Sequence, residues 1–172
     1  KNRILRTIEF FPEEGKYHYD GHRLCKIRFS PEESKKNNLI CPVCERKVTV
    51  GVLSRVEELA KRPEDFFDIK RPPFKMVINL LEILSQIYQT QPTTKKVFDK
   101  YLEIINKFGS ELDILINHYD KEKMYKEEPL LFEALEQINQ GNIILEPGYD
   151  GEYGKVIINL NTTKKSKEKS LF

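Results

Sequence analysis

The chain has 172 residues, of which 39% are hydrophobic and 33% are charged, and its net charge at pH 7 is +2. A total so near neutrality argues against a protein that is basic throughout, so a nucleic-acid-binding face would need local clustering. No apolar run reaches the roughly 18 residues of a membrane helix, and no signal-peptide pattern opens the chain. We therefore expect a soluble, cytoplasmic protein with no membrane partner. Because the first residue is Lys1, we also expect a fragment or the tail half of a longer chain.

The opening stretch "RILRTIEFFP" predicts a strand, and an unusual cluster of metal-binding residue types follows it. The stretches "YHYDGHRLC" at 17–25 and "CPVC" at 41–44 together hold every cysteine of the chain and two of its three histidines. Each stretch contains a pair of possible ligands with two residues between them. This spacing lets one tight turn aim two ligands at one ion, and two such pairs complete a tetrahedral zinc site. The predicted ligands are His22, Cys25, Cys41 and Cys44.

This ligand set has alternatives within the same segment. A Cys41–Cys44 disulfide would leave Cys25 over, and an odd cysteine count without a secretion signal argues against it. His18 competes with His22, which we prefer because its spacing repeats that of the second pair. Three thiolates and one histidine make a closed site, so the zinc is expected to be structural. We expect Asp20 to hold the far ring nitrogen of His22, as carboxylates near metal sites often do.

The segments after the first ligand pair carry clear helix signals. Ser30, Pro31 and Glu33 have the N-cap, first-turn and capping-box positions of a short helix between the two pairs. A short strand is predicted at 48–50, followed by a helix whose apolar residues lie at helical spacing from 52 to 60. The proline-rich stretch 63–73 is the predicted connector between subdomains.

The second half of the sequence is predicted to be mainly helical. Helices are expected at 74–88, 93–109 and 127–141, whereas the short apolar stretch "LDILIN" at 112–117 favours a strand. The stretches "NIILEP" and "KVIINL" predict two final strands, and the polar tail that follows is expected to be disordered.

Between the last two strands lies the glycine-rich motif "PGYDGEYGK" at 147–155. The simplest interpretation is a hairpin loop that turns at Asp150–Gly151. A functional interpretation keeps the hairpin: Tyr149 and Tyr153 would stack on an unpaired base, and the glycines would let a phosphate backbone approach.

These elements predict an α+β fold with a small zinc-binding knuckle subdomain, a mainly helical subdomain and a C-terminal β-hairpin. The predicted domains are the zinc subdomain at 1–62, the helical subdomain with its hairpin at 63–160 and the disordered tail at 161–172. The residues present no complete active site, because the cysteines are committed to metal and no hydrolase motif occurs.

The stretches "YHYDGHRLC", "CPVCERKVTVGVLSRVEELAKRP" and "EPGYDGEYGK" resemble the C-terminal half of the endonuclease Q family, over about residues 7–156. These are DNA-repair enzymes of the PHP (polymerase and histidinol phosphatase) superfamily, which nick DNA beside deaminated bases such as uracil, hypoxanthine and xanthine. The resemblance implies that the catalytic metals lie in an N-terminal PHP domain with no counterpart here, present in cis or supplied in trans. Two positions depart from the pattern: Ser54 stands where a histidine is expected, and Glu45 where a glycine is expected.

The predicted function is therefore a zinc-stabilised module that binds DNA carrying a deaminated base. The residues predicted to contact phosphates are Arg23, Lys26, Arg28 and Arg46. The residues predicted to lie near the extruded base are Tyr149, Gly151 and Tyr153. The alternative is a structural or protein-interaction zinc domain without nucleic-acid binding. In that case the basic side chains would only balance the thiolate charge.

Overall fold

The computed structural model of the chain describes residues 4–63, 66, 68 and 70–160. The described residues form two compact units. The first comprises the chain up to Phe74 together with Leu145–Val156, and the second comprises Lys75–Ile144 and the residues from Ile157 onward. The predicted division at residue 62 remains a prediction, and the predicted disordered tail lies outside the described residues.

The first unit consists of short elements joined by tight turns. Its helices and strands are β1 (Thr7–Phe10), β2 (Asp20–His22), β3 (Ile27–Phe29), α1 (Pro31–Lys36) and α2 (Val52–Leu59). β2 and β3 pair antiparallel, with Gly21 opposite Arg28. α1 begins with the predicted capping box, in which the Ser30 side chain accepts from the Glu33 backbone and the Glu33 side chain accepts from Ser30. The capping signals therefore predicted α1, and the helical spacing from 52 to 60 predicted α2.

The second unit is helical around a continuous apolar core. Its elements are α3 (Leu80–Tyr88), α4 (Lys95–Phe108), α5 (Glu111–Leu115), α6 (Lys121–Glu127) and α7 (Pro129–Asn139), preceded by β4 (Phe74–Val77) at the boundary. α3 packs on α4 and α7, and α6 packs on α7. Every helix has at least one fully buried apolar residue, such as Leu80, Ile104 and Met124.

The last two predicted strands form the expected C-terminal hairpin. They are β5 (Ile143–Glu146) and β6 (Lys155–Ile158), which make a two-stranded sheet. The loop end of this hairpin belongs to the first unit. With these elements, the predicted α+β fold class is confirmed for the described residues.

Three predicted elements differ in the structure. "LDILIN" is not a strand: its first residues form α5, because Ser110 caps a helix there by accepting the Asp113 N–H and Ile114 and Leu115 turn inward. The predicted helix at 74–88 begins only at Leu80, where the Asn79 side chain caps it, and β4 occupies the preceding residues. The predicted strand at 48–50 is replaced by single bridges at Lys47 and Thr49.

Within the described ranges, no helix combines the length and the apolar character that crossing a bilayer requires.

Candidate metal centre and the loop packed against it

Two turns of the first unit bring the four predicted ligands together. One donor atom from each of these residues lies within 4.8 Å of the other three, in a group made of His22, Cys25, Cys41 and Cys44. The first turn is a single turn of 3-10 helix at Arg23–Cys25 that follows directly from β2. Each turn ends in a left-handed residue, Lys26 with φ 55° and Glu45 with φ 59°. The two ligand pairs therefore share one backbone design, which reverses the chain immediately after the second ligand.

The distances within this group fit a tetrahedral metal ion. With Zn–S near 2.3 Å and Zn–N near 2.0–2.1 Å, a tetrahedral zinc separates a nitrogen ligand from a sulfur ligand by about 3.6 Å. Nδ1 of His22 lies 3.3 Å from Sγ of Cys44. Soft thiolates with one imidazole are the donors that zinc prefers in closed sites. The residues present therefore fit a zinc ion, and the ligand atom of His22 would be Nδ1.

The electrostatics of the thiols also favour a cation. Burial, together with the adjacent sulfur atoms of Cys44 and Cys41, raises the pKa of the Cys25 thiol to about 11. Burial acts to raise the pKa of the Cys41 thiol too, but the backbone N–H groups of Cys44 and Val43 lower it to about 6. The protein alone thus favours one thiolate and disfavours its neighbour. A divalent ion would allow all three to ionise, because metal binding releases the thiol protons.

The structure favours His22 over His18 as the fourth donor. The imidazole of His18 stacks on Tyr19, with ring centroids 5.4 Å apart. Its backbone carbonyl accepts the N–H of Leu53 at 3.1 Å, which places His18 at the start of α2. His18 therefore supports the helix, and His22 belongs to the group of convergent donors.

The predicted partnership between Asp20 and His22 is wrong. The Asp20 side chain is fully buried. One carboxylate oxygen accepts the Gly51 N–H at 2.6 Å, and both accept the Ser54 hydroxyl at 2.8 Å. Gly51 is the N-cap of α2, so the carboxylate lies where the helix dipole favours a negative charge. Asp20 thus holds α2 against β2, and Ser54 supplies a polar contact at the position where a histidine was expected.

The glycine-rich loop at 147–154 is bonded to the segment that precedes β2. The Gly148 N–H donates to the Glu13 carbonyl at 2.8 Å, the Gly151 N–H to Lys16 at 3.0 Å, and the Gly154 N–H to Glu14 at 3.1 Å. A Cβ atom at Gly154 would collide with the Glu13 carbonyl oxygen. The glycines therefore serve close contact between backbone segments, which the regular spacing of the motif did not reveal.

Asp150 links this loop to the metal-binding turn, and sequence reasoning missed that role. Its carboxylate accepts the Arg23 N–H and the Thr49 hydroxyl, each at 2.6 Å. Burial acts to raise the pKa of this carboxyl, but the hydrogen bonds from Thr49 and Arg23 hold the pKa below its usual range. The Asp–Gly pair signalled a turn, yet nothing local indicated a partner 127 positions away.

The predicted nucleic-acid contacts are spread over the two turns and the loop. Arg23, Lys26, Arg28 and Arg46 are exposed. Arg28 also donates through Nη1 to the Pro147 carbonyl at 3.2 Å, which braces the loop. Within the loop, Gly151 adopts φ 89° and is half-buried. Arg28 lies in β3 and the other four lie on the turns and the loop, and all five belong to the same unit.

The two loop tyrosines have different surroundings. The ring of Tyr149 packs against Gly21, where a Cβ atom would collide with it. Tyr153 is 71% exposed, and the Lys16 ammonium lies 4.5 Å from the centre of its ring. Of the pair, Tyr153 has the ring surface available to a further partner.

Comparison with known proteins gives a consistent result for most of the chain. The model of the family described as the MJ0043 C-terminal domain matches residues 79–141. Protein MJ0043 of Methanocaldococcus jannaschii is 37% identical over 155 residues, which are 90% of this chain and 20% of that protein.

Two solved structures share the fold. The lesion-specific endonuclease of Pyrococcus furiosus matches with a TM-score of 0.75 and 26% identity, over 88% of this chain and 37% of that chain. Endonuclease Q in complex with a 27-mer duplex, with an abasic lesion at its active site, matches with a TM-score of 0.75 and 25% identity. That match covers 90% of this chain and 38% of the endonuclease chain. The predicted resemblance to part of endonuclease Q is confirmed, and its extent is consistent with a C-terminal half of that protein.

Proposed function

We propose that this chain is the zinc-stabilised, DNA-binding C-terminal portion of an endonuclease Q-like repair protein. The observation that carries the proposal is the convergence of three thiols and one imidazole in two turns that also carry exposed basic side chains. His22, Cys25, Cys41 and Cys44 would hold a structural Zn²⁺, which supplies a cross-link between the turns and no open coordination position.

Charge around the metal supports a DNA partner. Three thiolates and Zn²⁺ leave a net charge of −1, which the basic residues of the two turns exceed. The excess lies on exposed side chains that can reach phosphates: Arg23, Lys26, Arg28 and Arg46, with Lys47 beside them. Such contacts position a protein on a duplex without reading its sequence. The solved endonuclease Q neighbour is bound to a duplex, which favours the same class of ligand here.

The proposal extends to the kind of lesion in the DNA and to the source of the catalytic domain. By resemblance to endonuclease Q, the DNA would carry a deaminated base such as uracil, hypoxanthine or xanthine. The base would leave the stack before it is cut, which costs less at a damaged pair. The chain spans only 20–38% of the relatives that it matches, so cleavage would come from a PHP domain in cis or in trans.

Binding of labelled duplexes by the zinc-loaded chain tests the proposal. We expect affinity for uracil- or hypoxanthine-containing DNA that falls steeply with salt, with a log–log slope of about −0.9 for each phosphate contact. Replacing Arg46 by alanine should reduce the magnitude of this slope by about one. Arg55→Ala is the matched control, because Arg55 is exposed and already paired with Glu58. Absence of salt-dependent binding even at low salt would refute the proposal.

One observation favours the alternative, a zinc domain that binds protein. α2 turns apolar side chains outward: Val52 is 61% exposed and Leu59 is 60% exposed. Exposed apolar rows of this kind occur at protein interfaces. The alternative predicts no DNA affinity at any salt concentration, so the same titration separates the two functions.

A further inference from the structure

The two metal-binding turns each project one large apolar side chain into solvent. Leu24 immediately precedes Cys25 and is 80% exposed, and Val43 immediately precedes Cys44 and is 66% exposed. The two side chains occupy the same position in the two ligand pairs, the second of the intervening residues. Metal binding requires nothing of this position beyond a residue that fits the turn. We call Leu24 and Val43 the knuckle tips.

The knuckle tips belong to two turns that lie side by side. Their neighbouring cysteines belong to the donor group whose atoms lie within 4.8 Å of one another, so the turns that carry the tips adjoin. Both turns are short and internally bonded: the Lys26 N–H donates to the Arg23 carbonyl, and the Glu45 N–H to the Cys41 carbonyl. The apolar side chains therefore stand on a rigid base rather than on flexible loops.

Basic residues surround the tips. Arg23 and Lys26 flank Leu24 and Cys25, and Arg46 and Lys47 follow the second turn, all with exposed side chains. Glu45, which follows Cys44, is an exposed acidic residue among them. Beside the exposed apolar face of α2 the acidic side chains are paired with basic ones, Glu57 with Lys35 and Glu58 with Arg55. The excess of exposed basic side chains beside the tips favours a polyanionic partner at this place.

We infer that the knuckle tips insert into the base stack of DNA at a step where a nucleotide is missing or displaced. Proteins that deform DNA use apolar wedges of this kind between bases, while adjacent basic side chains hold the phosphates. A step that has lost a base opens at less cost than an intact one, so the wedge selects damaged DNA. This inference rests on the proposed DNA-binding function and adds residues that distinguish a gap in the stack from an intact duplex.

The inference predicts different roles for the tips and for their basic neighbours. Arg23, Lys26 and Arg46 would contribute affinity for any duplex, with the salt dependence of phosphate contacts. Leu24 and Val43 would contribute the preference for a lesion and no salt dependence. Tyr153, whose exposed ring lies on the loop bonded to Lys16, remains available for a displaced base.

The test uses the zinc-loaded 172-residue chain and two duplexes that differ only by one abasic site, with 2-aminopurine beside it. We expect wild type to prefer the abasic duplex by at least about tenfold and to raise the 2-aminopurine fluorescence as its stacking is lost. The double variant Leu24→Ser, Val43→Ser should bind both duplexes with the wild-type affinity for intact DNA and leave the fluorescence unchanged. Leu59→Ser removes a similarly exposed leucine from α2 and should behave as wild type.

The possible outcomes distinguish failure of this inference from failure of the proposed DNA-binding function. If wild type binds neither duplex, the DNA-binding function fails and the inference fails with it. If wild type binds both duplexes with the expected salt dependence but the serine variant keeps its preference and its fluorescence change, only the inference fails. The inference also fails, and the DNA-binding function stands, if the serine variant changes the self-association of the protein but not its DNA binding. The tips would then contact a second protein chain. Two controls exclude loss of folding as the cause of a lost lesion preference. The serine variant should keep its zinc, and the apolar double variant Leu24→Met, Val43→Ile should keep the preference.

Discussion

The two compact units bury different kinds of residue. In the first unit, apart from three glycines and Pro31, the buried residues are three apolar ones and two polar ones: Cys41, Val48, Val156, Asp20 and Ser34. All other buried apolar residues among the described positions belong to the second unit. One unit is thus organised by convergent ligands and polar bonds, and the other by a conventional hydrophobic core.

This difference indicates which interactions maintain each unit. A small segment that buries little apolar surface cannot offset its own conformational entropy, so it needs a cross-link such as a metal. The helices of the second unit bury their apolar faces against one another and have no such need. Each unit should therefore respond to a perturbation that leaves the other intact.

Loss of the metal should have the largest effect. Structural zinc contributes on the order of 10 kcal/mol to the folding of such modules. Replacing Cys44 by serine, or adding a strong chelator, should therefore unfold the first unit. Backbone amide NMR spectra should lose the signals of β2, β3 and the loop at 147–154 while those of α3, α4 and α7 remain. A chelated protein that keeps every signal would show that the ion is dispensable.

Opening a cavity in the apolar core should have the next largest effect, confined to the second unit. Ile104 is fully buried in the middle of α4. Its replacement by alanine should lower the free energy of unfolding of this unit by about 4 kcal/mol, through lost burial and the remaining cavity. Urea denaturation followed by circular dichroism measures the change. The exposed Leu102→Ala on the same helix is the control, and zinc content should be unaffected in both variants.

Removal of the buried carboxylate should destabilise the first unit by a smaller amount. Asp20→Ala leaves the Gly51 N–H and the Ser54 hydroxyl without their acceptor. Two bonds to a charged group predict a loss of about 3 kcal/mol in the unfolding free energy of this unit. Hydrogen exchange at the start of α2 reports the loss. Asp20→Asn keeps one acceptor oxygen and should lose less, and equal losses in the two variants would contradict this account.

The smallest expected change is a stabilisation. Glu45 adopts φ 59°, a left-handed conformation that costs a residue with a side chain about 1 kcal/mol and costs glycine little. Glu45→Gly should therefore stabilise the zinc-loaded first unit by up to about 1 kcal/mol, visible as a higher chelator concentration at half-release. Glu58→Gly, in the last turn of α2, should act in the opposite direction because glycine weakens helices and the ion pair with Arg55 is lost.

Local chemistry made the metal centre predictable from sequence, and long-range contacts limited the rest. The spacing of His22 with Cys25 and of Cys41 with Cys44 specifies two turns, and the capping residues of α1 specify a helix, without reference to distant residues. The strand predicted at 112–117 failed because alternating apolar residues suit a short helix as well as a strand, and the Ser110 cap favoured the helix. Asp20 was assigned to the wrong partner because Gly51 and Ser54 lie more than 30 positions away. No local sequence signal indicated that the loop at 147–154 packs against the segment that precedes β2.

The bond between Asp150 and the Arg23 backbone spans 127 positions, whereas His22 and Cys44 are only 22 apart. A ribosome therefore releases both metal-binding turns long before it has made the loop that covers Gly21. We expect the nascent chain to take up its ion early, since only a short segment has to close. The loop docks last, once the helices between have been synthesised, and completes a unit whose first half was assembled about a hundred residues earlier.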